Sequence, residues 1–155
     1  MDHDLGALAT VPLFARLDRD QLHQLVGRSL VRTVTAGVVV ARHGQPADRL
    51  IVVETGVLGA TYDTANGQRL RLGEFTAPCA VDKTAVLNGC GYTATWTAVT
   101  RARIRLVAAT ELFALLDDVP AARHHVLAQL ARQLRDQQDD LVRAHFTDAT
   151  TRTAA

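Results

Sequence analysis

A mainly β domain with helices at both ends is the fold class that this sequence predicts, and three observations predict it. Residues 29–75 are rich in β-branched side chains and broken by glycine at short intervals, as strands joined by tight turns are. After about residue 109 the apolar positions switch to helical spacing and keep it to about residue 146. Between these regimes lies Phe75–Ala98, FTAPCAVDKTAVLNGCGYTATWTA, where a short helix-like piece interrupts strand-like sequence.

Each element can be justified in turn. Residues 5–17 mix apolar and small side chains, and Pro12 breaks any long helix there. Asp18–Gly27 reads as a helix, with Asp18 as N-cap, Leu22, Leu25 and Val26 at helical spacing, and Gly27 as the stop. Turn signals follow at Ala36-Gly37, His43-Gly44-Gln45-Pro46, Thr55-Gly56 and Asn66-Gly67. The Asn66-Gly67 pair predicts a two-residue primed turn, in which both positions take positive φ. Strands so closely spaced suggest a small antiparallel sandwich or barrel. In the central stretch DKTAVL is the short helix, NGCG is a loop, and YTATWTA alternates as a strand does. Arg103–Ala108 is one more strand, and Thr110–Leu116 is a short helix capped by Thr110. Pro120 then opens a longer helix reaching to about Phe146, and the tail TDATTRTAA shows no structure of its own.

Composition narrows the function. The 155 residues suit one domain with a real core, and 48% hydrophobic with 21% charged residues is ordinary for a soluble chain. A formal charge of +1 supplies no global field towards nucleic acid or an anionic membrane. Two cysteines are too few for a secreted disulfide scaffold, and MDHDLGALAT lacks the layout of a signal peptide. No apolar run approaches the ~20 residues that span a bilayer. A cytoplasmic setting is expected. Catalysis is not: no nucleophile with a plausible base, no metal-ligand spacing and no Gly-rich P-loop is found.

In the last helix Leu127, Leu130, Leu134, Gln137, Leu141 and Ala144 fall at alternating steps of three and four. That is heptad spacing, the pattern of a seam between paired helices, with Gln137 its polar position. Leu127, Leu130, Leu134, Gln137 and Leu141 are therefore the expected homodimer interface.

The order of elements and several phrases resemble the cyclic nucleotide-binding domain, and more narrowly the sensor half of transcription regulators of the CRP/FNR superfamily. The phrases are VPLFARLDRDQLHQLV, TAGVVVARHGQPADRLIVVETGVLGATY, DTANGQRLRLGEF and LARQLRDQQDDLVRA, and the resemblance spans roughly residues 11–150. It implies a double-stranded β-helix, a jelly-roll-like β-roll carrying a short cassette helix, followed by a long C-terminal dimerisation helix. It divides the chain into a β-roll domain at 1–119, the dimerisation helix at 120–146, and a hinge or the start of a DNA-binding domain at 147–155.

The phosphate-binding cassette is where the chain departs from this pattern. Family members that bind cyclic AMP carry Gly-Glu before the short helix and Arg-Ser or Arg-Thr after it. The glutamate holds the ribose hydroxyl, and the arginine and helix amides hold the cyclic phosphate. Here the matching positions read Val81-Asp82 and, with one inserted residue, Tyr92-Thr93-Ala94. Asp82 is suited to a ribose hydroxyl or to capping the helix, Thr93 to a phosphate oxygen, and Lys83 is the nearby cation. Tyr92 cannot neutralise a charge. A buried ionic group without its partner costs ~3–5 kcal/mol, which weakens binding by roughly a hundred to a few thousandfold. A cyclic nucleotide is thus a conceivable ligand that the residues disfavour, and no other cofactor is named by the sequence.

The candidate ligand residues are Asp82, Lys83, Thr84, Tyr92 and Thr93, with Gln133 and Gln137 on the long helix as secondary ones. Trp96 reads as a core filler, and Cys79 and Cys90 as free thiols rather than a redox pair or metal ligands. His124 and His125 are adjacent in a helix and point about 100° apart, so they do not form a metal site. The function expected is an effector-sensing and dimerisation module of a transcriptional regulator with a degenerate cassette. It would take a small-molecule effector, bind DNA only through a downstream domain, and not bind membranes. The alternative is a stand-alone interaction domain, or a regulatory subunit, without DNA binding.

Overall fold

In the computed structural model, residues 2–154 are described, with side chains from residue 2 to residue 147. Helix α1 (Asp2–Ala9) and a single 3-10 turn (Pro12–Phe14) occupy the region where Pro12 was expected to limit helix. Helix α2 (Arg19–Gly27) starts as the sequence predicts. The Asp18 side chain accepts from the Gln21 N–H, and the Gln21 side chain accepts from the Asp18 N–H, so two otherwise orphaned donors are satisfied.

Eight strands follow among the described residues, paired antiparallel in two four-stranded sheets. One has the order β1 (Leu30–Val34), β8 (Ala102–Ala108), β3 (Arg49–Thr55), β6 (Cys79–Val81). The other has the order β2 (Val39–Ala41), β7 (Thr95–Ala98), β4 (Val57–Asp63), β5 (Arg69–Thr76). Leu50, Ile51, Val52 and Val53 of β3 are fully buried, as a central strand covered on both sides requires. Leu58, Ala60, Trp96 and Ala98 face them from the second sheet's buried positions. This is the expected jelly-roll-like β-roll.

The hairpin between β4 and β5 forms where Asn66-Gly67 placed it, with a different turn. Its loop is closed by Thr64 N–H donating to the Gln68 carbonyl, and Gly67 alone takes a positive φ, 82°. A longer loop needs only one left-handed residue, so Asn66 keeps an ordinary backbone.

Helix α3 (Lys83–Asn88) is the short helix of the central stretch, and α4 (Ala109–Asp118) is the next. Helix α4 starts one residue earlier than predicted. Its N-cap position is Ala108, without a side-chain cap, so Thr110 is inside the helix and not its cap. The Ala109 N–H donates instead to the Asp48 carbonyl, which does the work of a cap. Helix α5 starts at Pro120 as expected but runs to Ala154, through the tail that had read as structureless. Each residue added to an existing helix gains one hydrogen bond without a new nucleus, so even a threonine-rich tail is carried along. The tail's side chains lie outside the described residues.

A buried charge cluster fastens the N-terminus to the first sheet. Arg105 is 1% exposed, and its Nε donates to Glu54 Oε1 at 2.5 Å, while Arg103 Nε donates to Glu54 Oε2 at 2.9 Å. Arg103 also donates to Asp4 on α1, and Arg105 Nη1 donates to the Ser29 hydroxyl. Two arginines thus face two carboxylates across β3, β8 and α1.

Candidate functional site

The cassette is built on the loop that joins β6 to β7. Strand β6 pairs with β3 through Ile51–Val81, Val52–Ala80 and Val53–Cys79, which brings Asp82 to the end of the first sheet. The far side of the loop is sewn to residues 44–47. The Gly44 N–H donates to the Tyr92 carbonyl, the Tyr92 N–H to the Gln45 carbonyl, and the Ala47 N–H to the Cys90 carbonyl. Gly91 is required there, because a Cβ would lie 2.6 Å from the Gly44 carbonyl oxygen.

Asp82 is the one non-glycine residue at positive φ among the described residues, at φ 57° and ψ 35°. It holds the N-cap position of α3 but makes no side-chain cap bond. Its carboxylate turns across the loop instead. Oδ2 accepts the Thr93 backbone N–H at 2.9 Å and the Trp96 indole N–H at 3.0 Å, and Oδ1 accepts the Thr93 hydroxyl at 2.8 Å. Asp82 and Thr93 are thus brought together, and they are bonded to each other.

Tyr92, Ala94, Trp96 and Ala98 are buried while Thr93, Thr95 and Thr97 are not, so the alternation read from YTATWTA is realised. The Tyr92 hydroxyl donates to the Arg49 carbonyl at 2.6 Å. Burial, then the nearby Asp48 charge, raises its pKa above the ordinary phenol value. Trp96 fills the core as expected and meets Phe75 edge to face at 5.2 Å between ring centroids. Its role as a donor to Asp82 was not read from the sequence. The available signal was that a buried indole N–H requires a partner.

Lys83 points back along its own chain, where Nζ donates to the Ala80 carbonyl at 3.0 Å. Burial lowers its pKa, with Cys79 opposing, and burial raises the Cys79 thiol, with Lys83 opposing. His125 on α5 is held below its usual value by burial, then by Lys83 and Arg132. The loop therefore has its cation beside the long helix and its anion turned to β7. Thr84 is exposed on α3, and Gln133 and Gln137 are exposed on α5. Cys79 and Cys90 are both free thiols. Two clefts form elsewhere. One of about 100 Å³ between α2 and α4 is lined by Gln24, Arg28, Glu111 and Asp118 among others, and one lies between α1 and α2. Neither is lined by a residue from 82–93.

The predicted leucine seam divides between two faces of α5. Ala122 and Val126 are buried, and Leu130 packs against the same core, so this face lies on the protein's own body. Leu127, Leu134 and Leu141, spaced by seven, are 61%, 68% and 67% exposed. Leu130 thus stands apart from the other three because the i, i+4, i+8 row through Ala122 and Val126 captures it.

The model of the cyclic nucleotide-binding domain matches residues 31–118, more than half of the sequence. The chain belongs to the cyclic nucleotide-binding domain family. Its fold is similar to the sensor domain of the transcriptional regulator DNR from Pseudomonas aeruginosa, with a TM-score of 0.80 at 22% identity, over 90% of this chain and 95% of that one. It is also similar to the N-terminal domain of a transcriptional regulator from Streptomyces coelicolor, with a TM-score of 0.66 at 27% identity, covering 87% and 94%. Against the catabolite activator protein of Thermus thermophilus the TM-score is 0.74 at 22% identity, over 84% of this chain and 61% of that protein's length. No curated protein matches the sequence. The family and these structures are regulatory. No helix among the described residues is long and apolar enough to cross a membrane.

Proposed function

We propose that this chain is the effector-sensing and dimerisation module of a transcription regulator, and that its cassette does not accept cyclic AMP. One observation carries the reading. Helix α5 packs one face on the domain's own core, beside α4 and the Pro12–Phe14 turn, through Ala122, Val126 and Leu130, and presents Leu127, Leu134 and Leu141 on the other at heptad spacing. A helix so placed couples the state of the roll to a second copy of itself, because the same leucine row is its own complement. Each leucine that the pairing buries contributes about 1.5–3 kcal/mol. In this reading residues 1–119 sense, 120–146 pair, and DNA is contacted by a domain that follows the segment at 147–155.

The cassette residues argue against a cyclic phosphate. A left-handed backbone is the conformation glycine adopts most readily, so the family's Gly-Glu falls better on Asp82-Lys83 than on Val81-Asp82. That register also removes the inserted residue. A lysine then stands where the ribose carboxylate belongs and a phenol where the phosphate cation belongs. The Asp82 carboxylate beside Thr93 repels an incoming phosphate further. Asp82 and Thr93 remain the ligand candidates, for an effector that is not an anion while Asp82 keeps its place, and the buried Tyr92 hydroxyl is already given to the Arg49 carbonyl. Thr84, Gln133 and Gln137 are exposed and are assigned to a ligand only in the assembled dimer.

Calorimetry with cyclic AMP and cyclic GMP tests the cassette: no saturable heat is expected, and submicromolar affinity for either refutes it. Light scattering on the eluting protein tests the helix. Two chains per particle are expected, falling to one in Leu134→Glu, and a monomeric wild type at tens of micromolar would end the dimer reading.

A further inference from the structure

Three donors from outside helix α3 converge on one carboxylate: a backbone N–H and a hydroxyl from Thr93, and the indole N–H of Trp96, all within 2.8–3.0 Å of Asp82 oxygens. No ion pair among the described residues includes Asp82. Donors of this kind hold an anion by hydrogen bonds alone, and such charge-assisted bonds are the stronger class. Asp82 reaches them from a left-handed backbone, which residues with a side chain seldom adopt. Thr93 and Trp96 therefore form an oxyanion seat, and the chain itself supplies its occupant.

We propose that Asp82 is a built-in ligand, an internal carboxylate that fills the seat made by Thr93 and Trp96 and ties the start of α3 to β7 without an effector. The inference rests on the reading that this loop is the effector cassette. It makes the tied conformation the resting one. A small oxyanion, carboxylate or phosphate, is then a competitor for the seat and gains entry only when Asp82 leaves it.

Chemical rescue tests this. Asp82→Gly suits the observed backbone and empties the seat. Trp96 is the chain's single tryptophan, so its indole N–H gives one resonance to follow. In Asp82→Gly that resonance is expected to move and the melting temperature to fall. Formate or inorganic phosphate, compared with chloride at equal ionic strength, should return both towards wild type saturably, with about millimolar affinity at best for so small a ligand. Wild type should not respond. An unmoved indole in Asp82→Gly, or equal anion effects in both proteins, overturns the proposal. Asp82→Asn, which keeps the shape and removes the charge, is the second variant: its indole should also shift, and an unchanged resonance and melting temperature would overturn the proposal as well. Cyclic AMP binding to wild type would defeat the reading of the cassette. Failed rescue without such binding would defeat the built-in ligand alone.

Discussion

Two carboxylates in this molecule have the same charge and opposite company. Glu54 is buried between Arg103 and Arg105, with Asp4 reaching in from α1. Asp82 is half-buried and faces neutral donors only, although a lysine is its next neighbour in sequence. A fully buried anion requires a countercharge, whereas one near the surface of a loop is held well enough by hydrogen bonds. The first arrangement is an anchor that cannot open without exposing unpaired charge. The second can open at the cost of three hydrogen bonds, which suits a part that changes state.

The comparison can be broken most forcefully at Glu54. Glu54→Leu leaves Arg105 buried with Asp4, 3.6 Å away, as its remaining countercharge and should destabilise the chain by about 3–5 kcal/mol in urea unfolding. Glu54→Leu with Arg105→Leu should recover most of that loss, because an apolar pair carries no desolvation penalty. If the double variant is no better than the single one, the cluster is not an ion-pair anchor. Asp82→Asn should cost less, about 1–3 kcal/mol, since it weakens hydrogen bonds without stranding a charge. A loss as large as that of Glu54→Leu would erase the distinction between the two sites.

The smallest effect sharpens the comparison at its edge. Tyr92→Phe removes the hydroxyl that donates to the Arg49 carbonyl and should cost about 1 kcal/mol at neutral pH. Because the folded state holds the Tyr92 proton more tightly than the unfolded chain, its contribution is complete below pH ~10 and is lost as pH rises through the raised folded value. The variant should therefore lose less stability than wild type as pH rises above about 10. Equal alkaline slopes would show that Tyr92 is not the buried phenol described.

Much of the fold was legible because it is local. Glycine-bearing turns at Gly37, Gly44, Gly56 and Gly67 separate the strands, and each of these residues does take positive φ. The alternation in YTATWTA reported which side chains turn inwards, and Asp18 as N-cap marked the start of α2. What failed to show was non-local or rotational. Asp82 bonds residues 11 and 14 positions on, and nothing in its neighbourhood says that its backbone turns left-handed and carries the carboxylate away from the cap. The Glu54–Arg105 pair crosses between strands whose register no periodicity states. Leu130 parted from the leucine row because a heptad lists helix neighbours and not which body each face meets.

The most direct test of the account follows the Trp96 indole N–H of the wild-type chain during a titration with cyclic AMP. A cassette already filled by Asp82, without a cation for the phosphate, predicts a resonance that stays in place to millimolar nucleotide. A saturable shift at micromolar or lower concentration would mean that the nucleotide displaces the carboxylate, and it would contradict the account.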